Sequence, residues 1–292
     1  MRNVKVSFIA VLLGLSFLLP IGVKASSIIN NNGIEITEEE YNNFIQLHSH
    51  AYIMTMNREQ YDKLSSLNYD NIISETKYIA TTYNPSLNIT TETELTEEEY
   101  ENFVIPEVSG LENVYSPNLN SGGVTYETTA KRLTLSFSSG TYYNYVTLAA
   151  SWKYIPTTRV FDVIGVRGDG FSFRNGSQTG TQNYVDASGN YHIINYSWNG
   201  TNIKKFDDGY GISMNLVNQS IQALTLDTSC DVVQDVTHPV IFGAYEHAIN
   251  NSVTLAQSQN YTMGGAGLGG VFVYPYSISS KYDGMSGVQI FF

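Results

Sequence analysis

Between Val124 and Phe292 the apolar residues recur at every second position, and that period decides the fold class. Leu133, Leu135 and Phe137 alternate with Arg132, Thr134 and Ser136, Ile212, Met214 and Leu216 with Ser213, Asn215 and Val217, and Leu224 and Leu226 share a side. A two-residue period places such a set on one face only when the chain is extended. Turn formers such as Ser138-Ser139-Gly140, Asn199-Gly200 and Asp207-Asp208-Gly209 punctuate these runs, with no amphipathic helix between them. The expectation is an all-β C-terminal domain over residues 124–292, an antiparallel β-sandwich or jelly roll of about ten strands. Within it, residues 161–173 read as a β-hairpin with apolar flanks and the tip Arg167-Gly168-Asp169-Gly170. Residues 191–198 and 201–206 read as a second hairpin across Asn199-Gly200, a dipeptide suited to a tight turn. The last strands are expected at 253–263, 271–276 and 288–292.

Ahead of this domain the pattern is helical. Three segments, 36–44, 56–64 and 95–103, repeat one arrangement. An apolar residue precedes Thr37, Asn57 or Thr96, and Glu40, Gln60 or Glu99 follows three positions later, then Tyr41, Tyr61 or Tyr100. This is a capping box with a hydrophobic staple, so each segment predicts a short helix with Thr37, Asn57 or Thr96 as N-cap. Glutamates 38–40 and 97–99 add favourable charge to the first turn. Residues 26–80 therefore read as a small acidic helical region, and 81–123 as an acidic linker with a short helix. The Glu-Glu-Glu-Tyr-Asn-Asn-Phe stretch at 38–44 resembles an element near the start of uncharacterised secreted proteins of low-GC Gram-positive bacteria. That resemblance is confined to the N-terminal region and implies no particular activity.

Residues 1–25 read as a secretory signal peptide: Arg2 and Lys5, an apolar run broken by Pro20, and Ala25 before the cut. The expected product is secreted and extracellular, with no stable membrane anchor. Cys230 is the sole cysteine, so no internal disulfide can form and stability has to come from the core. Residues 26–120 carry 16 acidic and 3 basic residues, while 121–292 carry 11 and 9. Such a balance disfavours nucleic acid as a partner, because phosphates need clustered Lys and Arg.

The candidate sites follow from residue type. Arg167-Gly168-Asp169 matches a cell-adhesion tripeptide, although Asp-Gly turn chemistry alone accounts for it. Aromatic residues concentrate after Ser121, and Tyr143, Trp152 and Trp198 are the candidates for stacking on sugar rings. The first reading is thus a non-enzymatic binding protein for an extracellular ligand, with a glycan or cell-surface protein as partner and no cofactor or metal. An extracellular hydrolase is the alternative. It would use Cys230 with His238 or His247, or two carboxylates among Asp162, Asp169, Asp207, Asp208 and Glu246. A membrane-active or self-assembling exoprotein is the third reading, resting on the glycine-rich run 263–270. His48-Ser49-His50 is expected on a solvated helix.

Overall fold

The computed structural model describes residues 27–84, 89–105, 127–264, 271–284 and 286–292. The expected signal peptide and residues 265–270 of the glycine-rich run lie outside them. Strand β1 (Ser27–Ile29) pairs antiparallel with β2 (Glu35–Thr37), which leads into α1 (Glu38–Phe44). The α1 capping box is complete: Glu40 N donates to Thr37 Oγ1 at 3.2 Å and Thr37 N to Glu40 Oε2 at 2.9 Å. Helix α2 (His50–Thr55) is capped by Ser49, and α3 (Arg58–Ser65) by the reciprocal pair Asn57 and Gln60. Caps of this kind stabilise a helix by about 1 kcal/mol. Helices this short do not persist alone in water. They share a buried core of Ile36, Phe44, Ile53, Met56 and Leu64, which also takes in Tyr145 from the β-domain.

Part of the expected linker is sheet. Strand β3 (Ile72–Asn84) pairs antiparallel with β4 (Ile89–Leu95), and then α4 (Glu97–Glu101) follows behind the predicted Thr96–Glu99 box. Along its other edge β3 pairs with β5 (Glu127–Ser138). Hydroxyls rather than apolar residues mark this pairing: Ser74 meets Ser136 at 2.8 Å, Thr76 meets Thr134 at 3.1 Å and Thr82 meets Thr128 at 3.3 Å. Cross-strand hydroxyl pairs stabilise a sheet without apolar alternation. A composition rich in Thr and Glu therefore looks like a linker and folds as strand.

The remaining strands are β6 (Asn144–Trp152), β7 (Phe161–Asp169), β8 (Phe171–Phe173), β9 (Thr179–Asp186), β10 (Tyr191–Ser197), β11 (Ile203–Phe206), β12 (Gly209–Asn215), β13 (Ile221–Gln234) and β14 (Val240–Glu246). Behind them come α5 (Leu255–Ser258), β15 (Thr262–Met263), β16 (Phe272–Val273), α6 (Tyr276–Ser279) and β17 (Ser286–Phe291). One sheet runs β10-β9-β13-β6-β5-β3-β4, with β8 also on β13, and the second runs β11-β12-β7-β14-β17. All their pairings are antiparallel, so the all-β expectation holds. Leu135, Val146, Leu148, Leu226 and Cys230 of the first sheet share one core with Ile164, Val166, Tyr210, Ile212 and Tyr245 of the second.

Two expected hairpins are crossings between the sheets. β7 lies between β12 and β14 in the second sheet, whereas β8 pairs with β13 in the first, and Gly170 turns the corner with φ +77°. Likewise β10 pairs with β9, and β11 with β12. Turn chemistry reports where the chain bends, and both crossings and hairpins bend. Residues 253–263 and 271–276, expected as strands, hold α5 and only the short pair β15–β16, and α6 begins at Tyr276. They cover the outer face of the second sheet, where Val253, Tyr261, Phe272 and Tyr282 pack with Val163 and Ala244.

Candidate functional site

The sheet face opposite the main core is where the helices sit. Along β6 and β13, Val146, Leu148, Leu226 and Cys230 point inward, so Tyr145, Thr147, Asp227, Ser229 and Asp231 point outward, yet these too are buried. Helix α3 crosses this outer face. Lys63 Nζ donates to Asp231 Oδ1 at 2.6 Å and passes over the Tyr145 ring, while Gln60 Nε2 donates to Asn195 Oδ1 on β10 at 3.2 Å. His48, just before α2, stacks on Tyr52 at 4.0 Å and meets the Tyr145 hydroxyl at 3.1 Å. Burial pushes its imidazole down to about 3. His50 bridges the hydroxyls of Tyr41 and Tyr191. The pair is therefore packed against the sheet, not solvated as expected.

Opposite α3 the edge of β13 is interrupted. β8 and β9 occupy that edge in succession, and the five residues 174–178 between them leave the ladder. The excursion is anchored throughout. Arg174 N donates to Asp231 O at 2.9 Å, and Ser177 Oγ accepts from Asp231 N at 3.0 Å in place of a backbone partner. Between this loop, α3 and β10 lies a groove of about 590 Å³. Asn57, Gln60, Asn175, Ser177 and Asn195 supply amides and a hydroxyl, and Lys63, Arg174 and Asp231 form its charged group. Asp231 accepts from both cations and is itself only 5% exposed.

Two of the expected aromatics adjoin residues of this groove without lining it. Arg174 stacks over Tyr143 at 4.6 Å, and a β-carbon at Gly176 would lie 3.9 Å from the Trp198 ring. Lys205 covers the Trp198 ring at 4.3 Å. Trp152 is elsewhere, buried between the sheets against Tyr245 and His247, so it is not offered for stacking. Arg167 and Gly168 are buried in β7. The Arg167 guanidinium binds Asp208 at 2.7 Å over the Phe242 ring, and Asp169 alone of the three is exposed. The tripeptide is therefore not displayed on a turn.

The hydrolase constellations are dispersed. Cys230 is in the main core, where burial raises its thiol well above the ordinary range, and His238 is exposed on the β13–β14 loop. His247 Nδ1 meets both oxygens of buried Asp162 at 3.0 Å, and the Tyr245 hydroxyl also donates to Asp162. Glu246 lies on the other face of β14, where burial raises its carboxyl well above the ordinary carboxylate range. Asp207 and Asp208 form the two-residue turn between β11 and β12.

No family model and no curated protein matches this chain. Among solved structures it is similar to a pore forming protein, with TM-score 0.21 and 10% identity over 40% of this chain and 74% of that one. Similarity extends to the enzymatically active domain of bacteriophage CBA120 tailspike protein 4, with TM-score 0.20 and 10% identity over 60% of this chain and 19% of that one. The Clostridium perfringens NetB toxin in its membrane inserted form gives TM-score 0.18 and 8% identity over 40% and 78%. Likeness at this level carries no inference about function. The groove was not legible from motifs, because its central contact joins Lys63 to Asp231 across 168 positions. The polar run Arg174-Asn175-Gly176-Ser177 directly after a strand was the local signal.

Proposed function

We propose that this protein is a secreted, non-enzymatic binding protein that holds an extracellular glycan in the groove beside α3. The observation that carries the reading is the meeting of amide side chains from α3, the 174–178 loop and β10 in one groove. Amides both donate and accept, as sugar hydroxyls require. Rigid elements position these groups, which lowers the ordering cost of binding. The basic start and apolar run of residues 1–25 support secretion.

The test is a glycan array probed with the whole secreted chain, since α3 supplies one wall of the groove. Saccharides retained there are then titrated calorimetrically against Gln60→Ala and Asn195→Ala variants. A loss of about tenfold or more for each, about 1.4 kcal/mol, supports the assignment. An array with no retained saccharide overturns it.

A further inference from the structure

Arg174 is built to hold more than a neutral sugar, an inference that rests on the glycan reading above. Its main chain is fixed on both sides: N donates to Asp231 O at 2.9 Å, and O accepts from Ser177 Oγ at 2.7 Å and Gln178 Nε2 at 3.0 Å. Its guanidinium carbon lies over the Tyr143 ring at 4.6 Å from the centroid, and the group is tied at one corner, Nη1 to Asp231 Oδ2 at 3.1 Å. The side chain nevertheless remains 51% exposed, and Nε and Nη2 have no partner among the described residues. Asp231 is shared with Lys63 at 2.6 Å, so one buried carboxylate faces two cations and leaves one positive charge in excess at that point. The other acid lining the groove, Glu59, is exposed on α3. The groove lining as a whole therefore carries two cations and two acids, and the excess positive charge is local to the Asp231 cluster. A guanidinium whose base and stacking face are already fixed loses little freedom when its remaining N–H groups engage an oxyanion, and two parallel N–H bonds to one oxyanion are strong.

We propose that the ligand is an acidic saccharide whose anionic group, a carboxylate or a sulfate ester, binds the free edge of Arg174. The remaining rings occupy the amide-lined part of the groove toward Asn195 and Gln60. Lys63 holds Asp231 in place, and Arg174 makes the contact.

The experiment is an array of matched pairs, sialylated against desialylated and sulfated against unsulfated oligosaccharides, probed with the full chain and with Arg174→Gln and Arg174→Lys. The expected result is at least tenfold tighter binding of the acidic member in one set of pairs; which set identifies the oxyanion. Arg174→Gln removes that preference, and Arg174→Lys, which keeps the charge without the fork, retains only part of it. Unfolding midpoints close to wild type show that the variants remain folded, and if one is displaced, Tyr143→Ala, which removes the stacking face alone, is expected to weaken the same preference. Equal binding of both members, or a preference unchanged in Arg174→Gln, overturns the acidic anchor while leaving glycan binding intact. Failure of every saccharide overturns both.

Discussion

Lys131 Nζ and Asp283 Oδ2 meet at 2.6 Å although 152 positions separate them, and neither side chain reaches solvent. The same ammonium lies 3.7 Å from Glu92 Oε1 on β4 and over the rings of Trp152 and Tyr245. One buried charge therefore ties β5 to β4 and to the segment that leads into β17. Burial raises the Glu92 carboxyl above its ordinary range, a larger effect than the pull of Lys131. Removing one partner of a buried pair leaves the other charge uncompensated, which costs about 3–5 kcal/mol. Lys131→Met is expected to lose that much stability in urea unfolding. Adding Asp283→Asn, which removes the stranded charge and keeps an acceptor for His247 N, recovers a large part of it. A double variant no more stable than the single one contradicts the charge argument.

Gly170 is the corner between the sheets, and two constraints meet there. Its φ is +77°, and a β-carbon would fall 2.3 Å from Val236 Cγ2. Gly189, in the β9–β10 hairpin, has a similar φ of +87° but open space around it. Gly189→Ala is expected to cost about 1 kcal/mol of backbone strain. Gly170→Ala adds a clash to the same strain and is expected to cost at least twice as much. Equal denaturation midpoints for the two variants would show that the corner is not sterically closed.

What was legible in the sequence was local. Thr37, Asn57 and Thr96 announce their helices because a capping box is contained within four residues. Alternation gave strand and burial for Leu133, Leu135 and Phe137 for the same reason. Pairing partners were not legible: the residues around Gly170 and around Asn199-Gly200 announce a bend but not the strand that lies beyond it. β6 and β13 are buried on both faces, so Tyr145 and Asp231 read as an aromatic and an acid with no hint that helices would cover them. The groove depends on that covering layer, and it could not be found before the layer was placed.

Cys230 offers a direct check of the core. It is fully buried beside Tyr210, and burial raises its thiol, so little thiolate is available at neutral pH. As the sole cysteine it reports on one place alone. In the native protein, labelling with a thiol reagent at pH 8 is expected to proceed only as fast as the core opens, and immediately in denaturing urea. Rapid native labelling would place the thiol in an accessible site and revive a nucleophilic role.

Two buried groups at the helix–sheet boundary titrate in opposite senses. His48, stacked on Tyr52 and bonded to Tyr145, is pushed by burial from 6.5 down to about 3. Asp227, on the outer face of β13, accepts from Asn183 Nδ2 at 2.6 Å and is raised by burial from 3.8 to about 7. Between these limits the unfolded chain protonates His48 and the folded chain does not, so its contribution is complete above pH 6.5 and is lost on acidification. For Asp227 the folded chain keeps the proton that the unfolded chain has released, so its contribution is complete below pH 3.8 and is lost as pH rises to about 7. From about pH 4 to 6.5 the two slopes, each about 1.4 kcal/mol per pH unit, cancel. Removing one member exposes the other. Relative to wild type, His48→Phe is expected to lose stability as pH rises through this window, and Asp227→Asn to gain it. Urea unfolding at half-unit pH intervals measures both slopes, and variants that run parallel to wild type would mean that neither group is buried in the form that titrates.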